Sequence, residues 1–177
     1  MHSLLEWSQA NGWREPAGET VERHVAAAGL DAGATDDLLA PLRGWLGSGL
    51  FAERVRGADA VRAEVPLLLS VGGTVLRGSI DLLVDRQGSP PLVVDYKTDR
   101  LGGADPAERA AQYRTQRDIY ALAVAESRGV SEVEVAYVFL ERPDEPVVTT
   151  LGADDIEAGR ACLVAAIERI EAGPEDA

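Results

Sequence analysis

The chain has 177 residues, 46% hydrophobic but only 5% aromatic, which suits one domain with a core of Leu, Val and Ala. Its formal charge of 17 − 30 = −13 excludes a protein that coats nucleic acid by bulk attraction, yet leaves room for a local acid cluster or basic track. With one cysteine, Cys162, an internal disulfide, a cysteine zinc site and a cysteine-ligated iron–sulfur cluster are excluded within the chain, no run reaches the about 18 apolar residues of a membrane span, and no signal peptide is visible, so a reducing cytoplasm and no membrane partner are expected.

Residues 2–10 read as a short amphipathic helical turn with Leu4, Leu5 and Trp7, ending near Asn11-Gly12. After a polar Pro/Gly stretch, Glu19 to Leu30 reads as a helix that Gly29 ends, with Val21 and Val25 four apart. Thr35 is the predicted N-cap of the next helix. Asp36 and Asp37 fall in its first turn, and Leu38, Leu39, Leu42 and Trp45 trace an apolar face to about Leu46. Gly47-Ser48-Gly49 breaks it, and Leu50 to Val55 is a short further segment.

The texture changes near Ala60. Val61 to Val71 and Thr74 to Val84 read as strands, and Gly72-Gly73 between them is a hairpin signal. Asp85 to Pro91 is a turn. Leu92 to Lys97 is a third strand, apolar through its first half and therefore central in the sheet. Asp105-Pro106 starts a long helix, with Pro106 at its first position, that runs to about Arg128 and stops at Gly129. Val133 to Leu140 is a fourth strand and Pro146 to Leu151 a fifth. Asp154 to about Glu171 is a closing helix with Ile156, Leu163, Ile167 and Ile170 on its face. This order predicts an α/β fold: a central mixed sheet of about five strands flanked by helices, with an N-terminal helical segment. The expected organisation is a single domain, with a helical part at 1–58 and an α/β core at 59–177.

The chemistry gathers around Val93-Val94-Asp95-Tyr96-Lys97-Thr98. Strand side chains alternate, so Asp95 and Lys97 project from the same face. Either they form a buried ion pair, or the carboxylate holds a divalent cation while the ammonium works on a phosphate and its attacking water. Two further acids stand in apolar strands: Asp81 in Gly78-Ser79-Ile80-Asp81, and Glu64 in Glu64-Val65-Pro66-Leu67. A single such acid is ordinarily exposed or salt-bridged. Acids embedded in apolar strands are costly unless paired or metal-bound. If the strands are neighbours, the three carboxylates converge at one end of the sheet, as a hard divalent cation requires.

These motifs resemble those of the PD-(D/E)XK nucleases, and more narrowly the RecB/AddA-type (AdnA-like) nuclease domain of bacterial helicase–nucleases. The resemblance rests on Glu64, Gly78-x-Ile80-Asp81 and Asp95-Tyr96-Lys97, together with His2-Ser3-Leu4-Leu5-Glu6 and Gln116-Arg117-Asp118-Ile119-Tyr120. It implies the PD-(D/E)XK, restriction-endonuclease-like form of the α/β fold. By the resemblance, Asp81 and Asp95 ligate magnesium or manganese, and His2 and the backbone carbonyl of Tyr96 complete the protein shell. Glu64 is the accessory acid, and Lys97 assists the nucleophilic water and stabilises the transition state. Gln116 and Tyr120 shape the site and touch the DNA strand. The implied reaction is phosphodiester hydrolysis by a metal-activated water, with single-stranded DNA as the substrate. The implied partners are helicase motor domains or a partner subunit, in double-strand break repair and recombination. A metal ligand as early as residue 2 suggests a domain excised from a longer helicase–nuclease. The chain has no Gly-x-x-x-x-Gly-Lys-Ser/Thr motif and no four-cysteine staple.

Two other classes of function compete with this one: a nuclease fold kept as an interaction module without catalysis, and a small acidic α/β domain whose ion pairs are only structural. Among the remaining residues, Arg77, Arg100, Arg109, Arg114 and Arg117 are candidates for a phosphate track, against pairing with acids such as Glu108. Gln112 and Tyr113 share a face with Gln116, where packing explains them equally well. Asp99 and Asp85 read as turn residues, His24 as structural, and Trp7, Trp13 and Trp45 as core. Cys162 reads as inert core on a helix face.

Overall fold

The computed structural model describes residues 1–27, 29 and 35–172. Three helices come first: α1 (His2–Ala10), α2 (Glu19–Ala27) and α3 (Thr35–Gly47). Leu30, the predicted end of the second helix, lies outside the described residues. Gly29 adopts φ 66, a left-handed value that suits the residue just past a helix. A π-type turn at Phe51–Val55 leads into a long hairpin, β1 (Ala60–Val71) and β2 (Thr74–Asp85). Its turn glycines, Gly72 and Gly73, have φ 56 and 78, the paired positive values of the tight turn that matches strand twist. Then follow β3 (Leu92–Lys97), α4 (Pro106–Ala110), α5 (Arg114–Arg128), β4 (Val133–Phe139), β5 (Val147–Leu151) and α6 (Ala153–Glu171).

The strands form one sheet in the order β1-β2-β3-β4-β5. Only β3 and β4 run parallel, so the sheet is mixed, and β3 is its central strand as its apolar run predicts. Leu92, Val93 and Val94 are all buried, because both faces of the sheet are covered. On one face Leu5, Val21, Val25, Leu42 and Trp45 of the first three helices pack against Leu82, Val84 and Val94. On the other, Tyr120, Leu122 and Val124 of α5 and Leu163 of α6 pack against Val93, Val135 and Phe139. The N-terminal helices thus share one core with the sheet.

The hairpin changes faces along its length. Near β3, Val61, Ala63, Leu82 and Val84 face the N-terminal helices. Beyond Glu64, the side chains of Val65, Leu67, Leu69 and Ile80 face α5 and α6 instead. A strict period of two would keep Val61 to Leu69 on one side. The reversal falls at Glu64, whose φ is 48, a left-handed value that costs a residue with a Cβ roughly 1–2 kcal/mol. The distal hairpin therefore curls over the second layer, where Gly72 approaches Val164 and Ile167 of α6.

Three expectations are corrected. The single long helix from Asp105 to Arg128 is two helices, α4 and α5, split by a 3₁₀ turn at Ala111–Tyr113. Tyr113 leaves helical geometry at φ −99, ψ 15, and its carbonyl accepts a hydrogen bond from the Tyr137 hydroxyl at 2.8 Å. The predicted start holds: the Asp105 side chain caps Ala107 N–H at 2.7 Å with Pro106 in the first turn. Cys162 is exposed and not core, and Ile170 is 80% exposed. Both lie on α6, where alanines blur the contrast between faces. Trp45 is fully buried, edge-on to Phe51 and Tyr96, while Trp7 and Trp13 are half-buried.

Candidate active site

At the end of β3, alternation sends Asp95 and Lys97 toward α5 and Tyr96 toward the N-terminal helices. Asp95 is 3% exposed. A buried carboxylate needs partners, and α5 supplies them. Tyr120 donates its hydroxyl to Asp95 Oδ1 at 2.8 Å. Gln116, one helical turn earlier, donates from Nε2 to the Tyr120 oxygen at 2.8 Å and reaches Asp95 Oδ1 at 3.4 Å. Its other amide atom, Oε1, accepts from Lys97 Nζ at 2.7 Å. Lys97 Nζ also lies 2.7 Å from Asp95 Oδ2, an ion pair outside hydrogen-bond geometry. Burial first, then the nearby Asp95 charge, push the Tyr120 phenol well above its ordinary range, so it stays a neutral donor. The Tyr120 ring is itself buried. It supports Asp95 from beneath by that hydrogen bond.

The second acid sits beside the first. Leu82 pairs with Val94, so Asp81 lies opposite Asp95 across β2 and β3. Asp81 Oδ2 accepts the Tyr96 backbone N–H at 2.8 Å. His2 Nε2 stands 3.7 Å from that oxygen and 3.1 Å from the Tyr96 carbonyl oxygen. The first helix holds His2 there: Leu4 and Leu5 are buried, and Gln9 Nε2 donates to the Val61 carbonyl at 3.1 Å. Burial pushes the Asp81 carboxyl above the usual carboxylate range. The charges of Asp95 and Glu64 add to this, while the Tyr96 N–H and His2 oppose it.

Glu64 lies opposite Asp81 in the register, between the Ala63–Leu82 and Val65–Ile80 pairs. Its side chain is exposed and accepts from Ser79 Oγ at 3.1 Å. The expected convergence of three carboxylates is therefore incomplete. Among the described residues, no group of three or more His, Cys, Asp or Glu side chains is gathered tightly enough to hold a metal. The physical reason is visible: Lys97 and Tyr120 hold Asp95 on the α5 side, while Asp81 is turned to the Tyr96 N–H and His2. The donor set still fits a hard divalent cation. It offers carboxylate oxygens, a main-chain carbonyl and one imidazole, and Asp95 Oδ2 is buried with the Lys97 ammonium beside it.

A family model described as the PD-(D/E)XK nuclease superfamily matches residues 1–177. The chain belongs to the PD-(D/E)XK nuclease superfamily. Its Asp-x-Lys strand, the Asp81 strand beside it and the Gln116–Tyr120 helix are the parts that the sequence motifs pointed to. The chain is 36% identical over 95 residues to an ATP-dependent helicase/nuclease subunit from Streptococcus sanguinis, covering 49% of this chain and 7% of that protein. The corresponding helicase/nuclease subunit from Desulforudis audaxviator is 36% identical over 111 residues, covering 52% of this chain and 9% of its own. The matched region is thus less than a tenth of either curated relative. Among solved structures, a candidate exonuclease from Eubacterium rectale superposes with a TM-score of 0.48 at 13% identity, covering 93% of this chain and 71% of that one.

The secondary candidates divide. Arg117 pairs with Asp118 at 2.7 Å, and Arg109 bonds to Gln112 and the Arg100 carbonyl. Among the described residues Arg77 and Arg114 form no ion pair, and neither does Glu108. Asp99 accepts the Tyr113 hydroxyl, Asp85 pairs with Arg62 and Arg128, and His24 Nδ1 lies 2.7 Å from the Thr20 carbonyl. Sequence reasoning missed Tyr137 entirely and left Tyr113 undecided. Both rings stand against Lys97. Tyr113 is three residues before Gln116 and seven before Tyr120, a helix-face spacing that marks it. Tyr137 is marked only by its pairing with Asp95 across β3 and β4.

Proposed function

We propose that this domain is a magnesium- or manganese-dependent DNA nuclease that hydrolyses phosphodiester bonds, with single-stranded DNA as its substrate. The observation that carries the reading is the closed network of Asp95, Lys97, Gln116 and Tyr120 set directly across the sheet from Asp81 and His2. Beside that network the His2 imidazole stands 3.7 Å from the Asp81 carboxylate and 3.1 Å from the Tyr96 carbonyl, in a cleft that Glu6 and Glu64 also line, a donor set richer than one ion pair needs. In this reading Asp81, Asp95, His2 and the Tyr96 carbonyl hold the cation. When bound, the cation offsets charge on the phosphate and makes a water acidic enough to act as nucleophile.

The chain's own residues have separable tasks. Tyr120 and Gln116 fix the Asp95 carboxylate by donating to Oδ1. Lys97 presents its ammonium beside that carboxylate, where it stabilises negative charge on the phosphate oxygens and orients the attacking water. Glu64 is the accessory acid, close enough to Asp81 to raise its proton affinity. Residues 1–177 act as a single nuclease unit with a helical part at 1–58 and a core at 59–177, and among the described residues α1, α2 and α3 cover one face of the sheet. The relatives' names support placing it in a RecB/AddA-like helicase–nuclease, with motor domains or a partner subunit delivering DNA during double-strand break repair and recombination in the cytoplasm. No helix among the described residues is long and apolar enough to cross a membrane.

The test is calorimetric titration of manganese into the wild type, Asp81→Ala and His2→Ala. The reading expects saturable binding that Asp81→Ala abolishes and His2→Ala weakens. Wild type that binds no manganese, or binding that survives Asp81→Ala, would sink it.

A further inference from the structure

Lys97 is held by more than its acid and its amide. Its Nζ lies 3.8 Å from the centroid of the Tyr113 ring and 5.2 Å from that of Tyr137. The two rings are 5.5 Å apart and tilted by 43°. Both lie within the range in which a ring face attracts an ammonium. The pair is itself braced. The Tyr137 hydroxyl donates to the Tyr113 carbonyl at 2.8 Å, and the Tyr113 hydroxyl donates to Asp99, two residues past Lys97. The 3₁₀ turn at Ala111–Tyr113 ends with Tyr113 at this place. On the strand side, Tyr137 is the direct β4 neighbour of Asp95.

We propose that Tyr113 and Tyr137 form an aromatic cradle that positions the Lys97 ammonium for phosphodiester cleavage. The proposal rests on the nuclease reading and adds two positioning residues that the motifs do not contain. The physical need is specific. Asp95 Oδ2 is both the ion-pair partner of Lys97 and a candidate metal ligand. If that oxygen is committed elsewhere, the ammonium keeps only Gln116 Oε1 and the two ring faces. A four-carbon side chain with so few anchors would otherwise spread over many rotamers. Ring faces hold a cation without neutralising it, so the charge stays available to a phosphate. Tyr113 is the testable member, because it is half-buried at the site's rim while Tyr137 is built into the core.

The experiment compares the wild-type chain with Tyr113→Phe and Tyr113→Leu. The first measurement is manganese-supported cleavage of a labelled single-stranded oligonucleotide. The second is the NMR shift of the Lys97 Hε protons, which an overlying ring moves upfield with or without activity. The cradle predicts that Tyr113→Leu lowers kcat about tenfold with KM unmoved, as the loss of one partly desolvated cation–ring contact implies. Tyr113→Phe restores it, since the ring is kept and only the Asp99 bond is lost. The upfield shift should persist in the Phe variant and shrink in the Leu variant. If Tyr113→Leu cuts like wild type, or if Tyr113→Phe falls as far as Tyr113→Leu, the cradle is overturned while the nuclease reading stands. If wild type does not cut at all, the nuclease reading fails, and the cradle's role in cleavage fails with it.

Discussion

Tyr120→Phe removes one oxygen and leaves the ring's packing unchanged. That oxygen holds one proton with two acceptors in reach: Asp95 Oδ1 at 2.8 Å and the Ser79 carbonyl at 3.3 Å. The shorter contact to a charged acceptor wins the proton, and the lone pairs receive Gln116 Nε2 at 2.8 Å. The variant leaves Asp95 Oδ1 with a single donor at 3.4 Å in a site where the residue is 3% exposed. A hydrogen bond to a charged group contributes about 1.5–3 kcal/mol. Loss of roughly 2 kcal/mol shifts the melting temperature of a domain this size by about 4–8 °C. The assay is thermal unfolding of the metal-free protein at neutral pH, with a double-mutant cycle against Asp95→Asn. The cycle should show coupling of about 1–2 kcal/mol, because the two groups share one bond. A variant melting within about 1 °C of wild type, or purely additive effects, would refute the claim that Tyr120 holds the carboxylate.

Asp81 gives a pH dependence of definite sign. Burial raises its folded pKa, so the folded chain keeps a proton that the unfolded chain gives up. That stabilising contribution is complete below the ordinary carboxylate range and is lost as pH rises through the raised value. Metal-free Asp81→Asn should therefore exceed wild type in stability by more at neutral pH than at acid pH, as urea titrations would read. Glu64, with φ 48, should tolerate glycine and resist a β-branched residue. Glu64→Val is expected to be less stable than Glu64→Gly by about 1–2 kcal/mol in the same titration. Gly44 lies inside α3, where alanine is ordinarily favoured by about 1 kcal/mol. A Cβ there would meet Pro143 Cγ at 2.7 Å, so Gly44→Ala should lower the melting temperature instead of raising it.

Much of this architecture could be read from residue order. The central place of β3 follows from Leu92, Val93 and Val94, which leave no polar position for a solvent-facing side. The hairpin follows from two glycines between apolar runs, and α4 from an acid followed by proline. Gln116 and Tyr120 share a face by spacing alone, and they meet at Asp95. Other features depend on tertiary partners that periodicity does not encode. The face reversal involves both hairpin strands, at Glu64 on β1 and between Ile80 and Leu82 on β2, and takes a left-handed angle at Glu64. The break before α5 reflects Tyr113 turning its carbonyl to Tyr137 and its hydroxyl to Asp99. The stance of Tyr137 beside Asp95 requires the parallel register of β3 and β4. Asp95 and Asp81 were legible as neighbours, but their division between a lysine–tyrosine side and a histidine side was not. That division is set by which face each carboxylate finds a donor on.

The proposed function requires that Lys97 and the two aspartates form a working hydrolytic site. The most direct test is cleavage of a labelled single-stranded oligonucleotide with magnesium or manganese, run beside EDTA and beside Lys97→Ala. The expected result is cutting that EDTA abolishes and that Lys97→Ala lowers by at least about a hundredfold, the scale of removing one donor that stabilises transition-state charge. Cutting that survives either control, or its absence in a chain that binds manganese through Asp81, would contradict it.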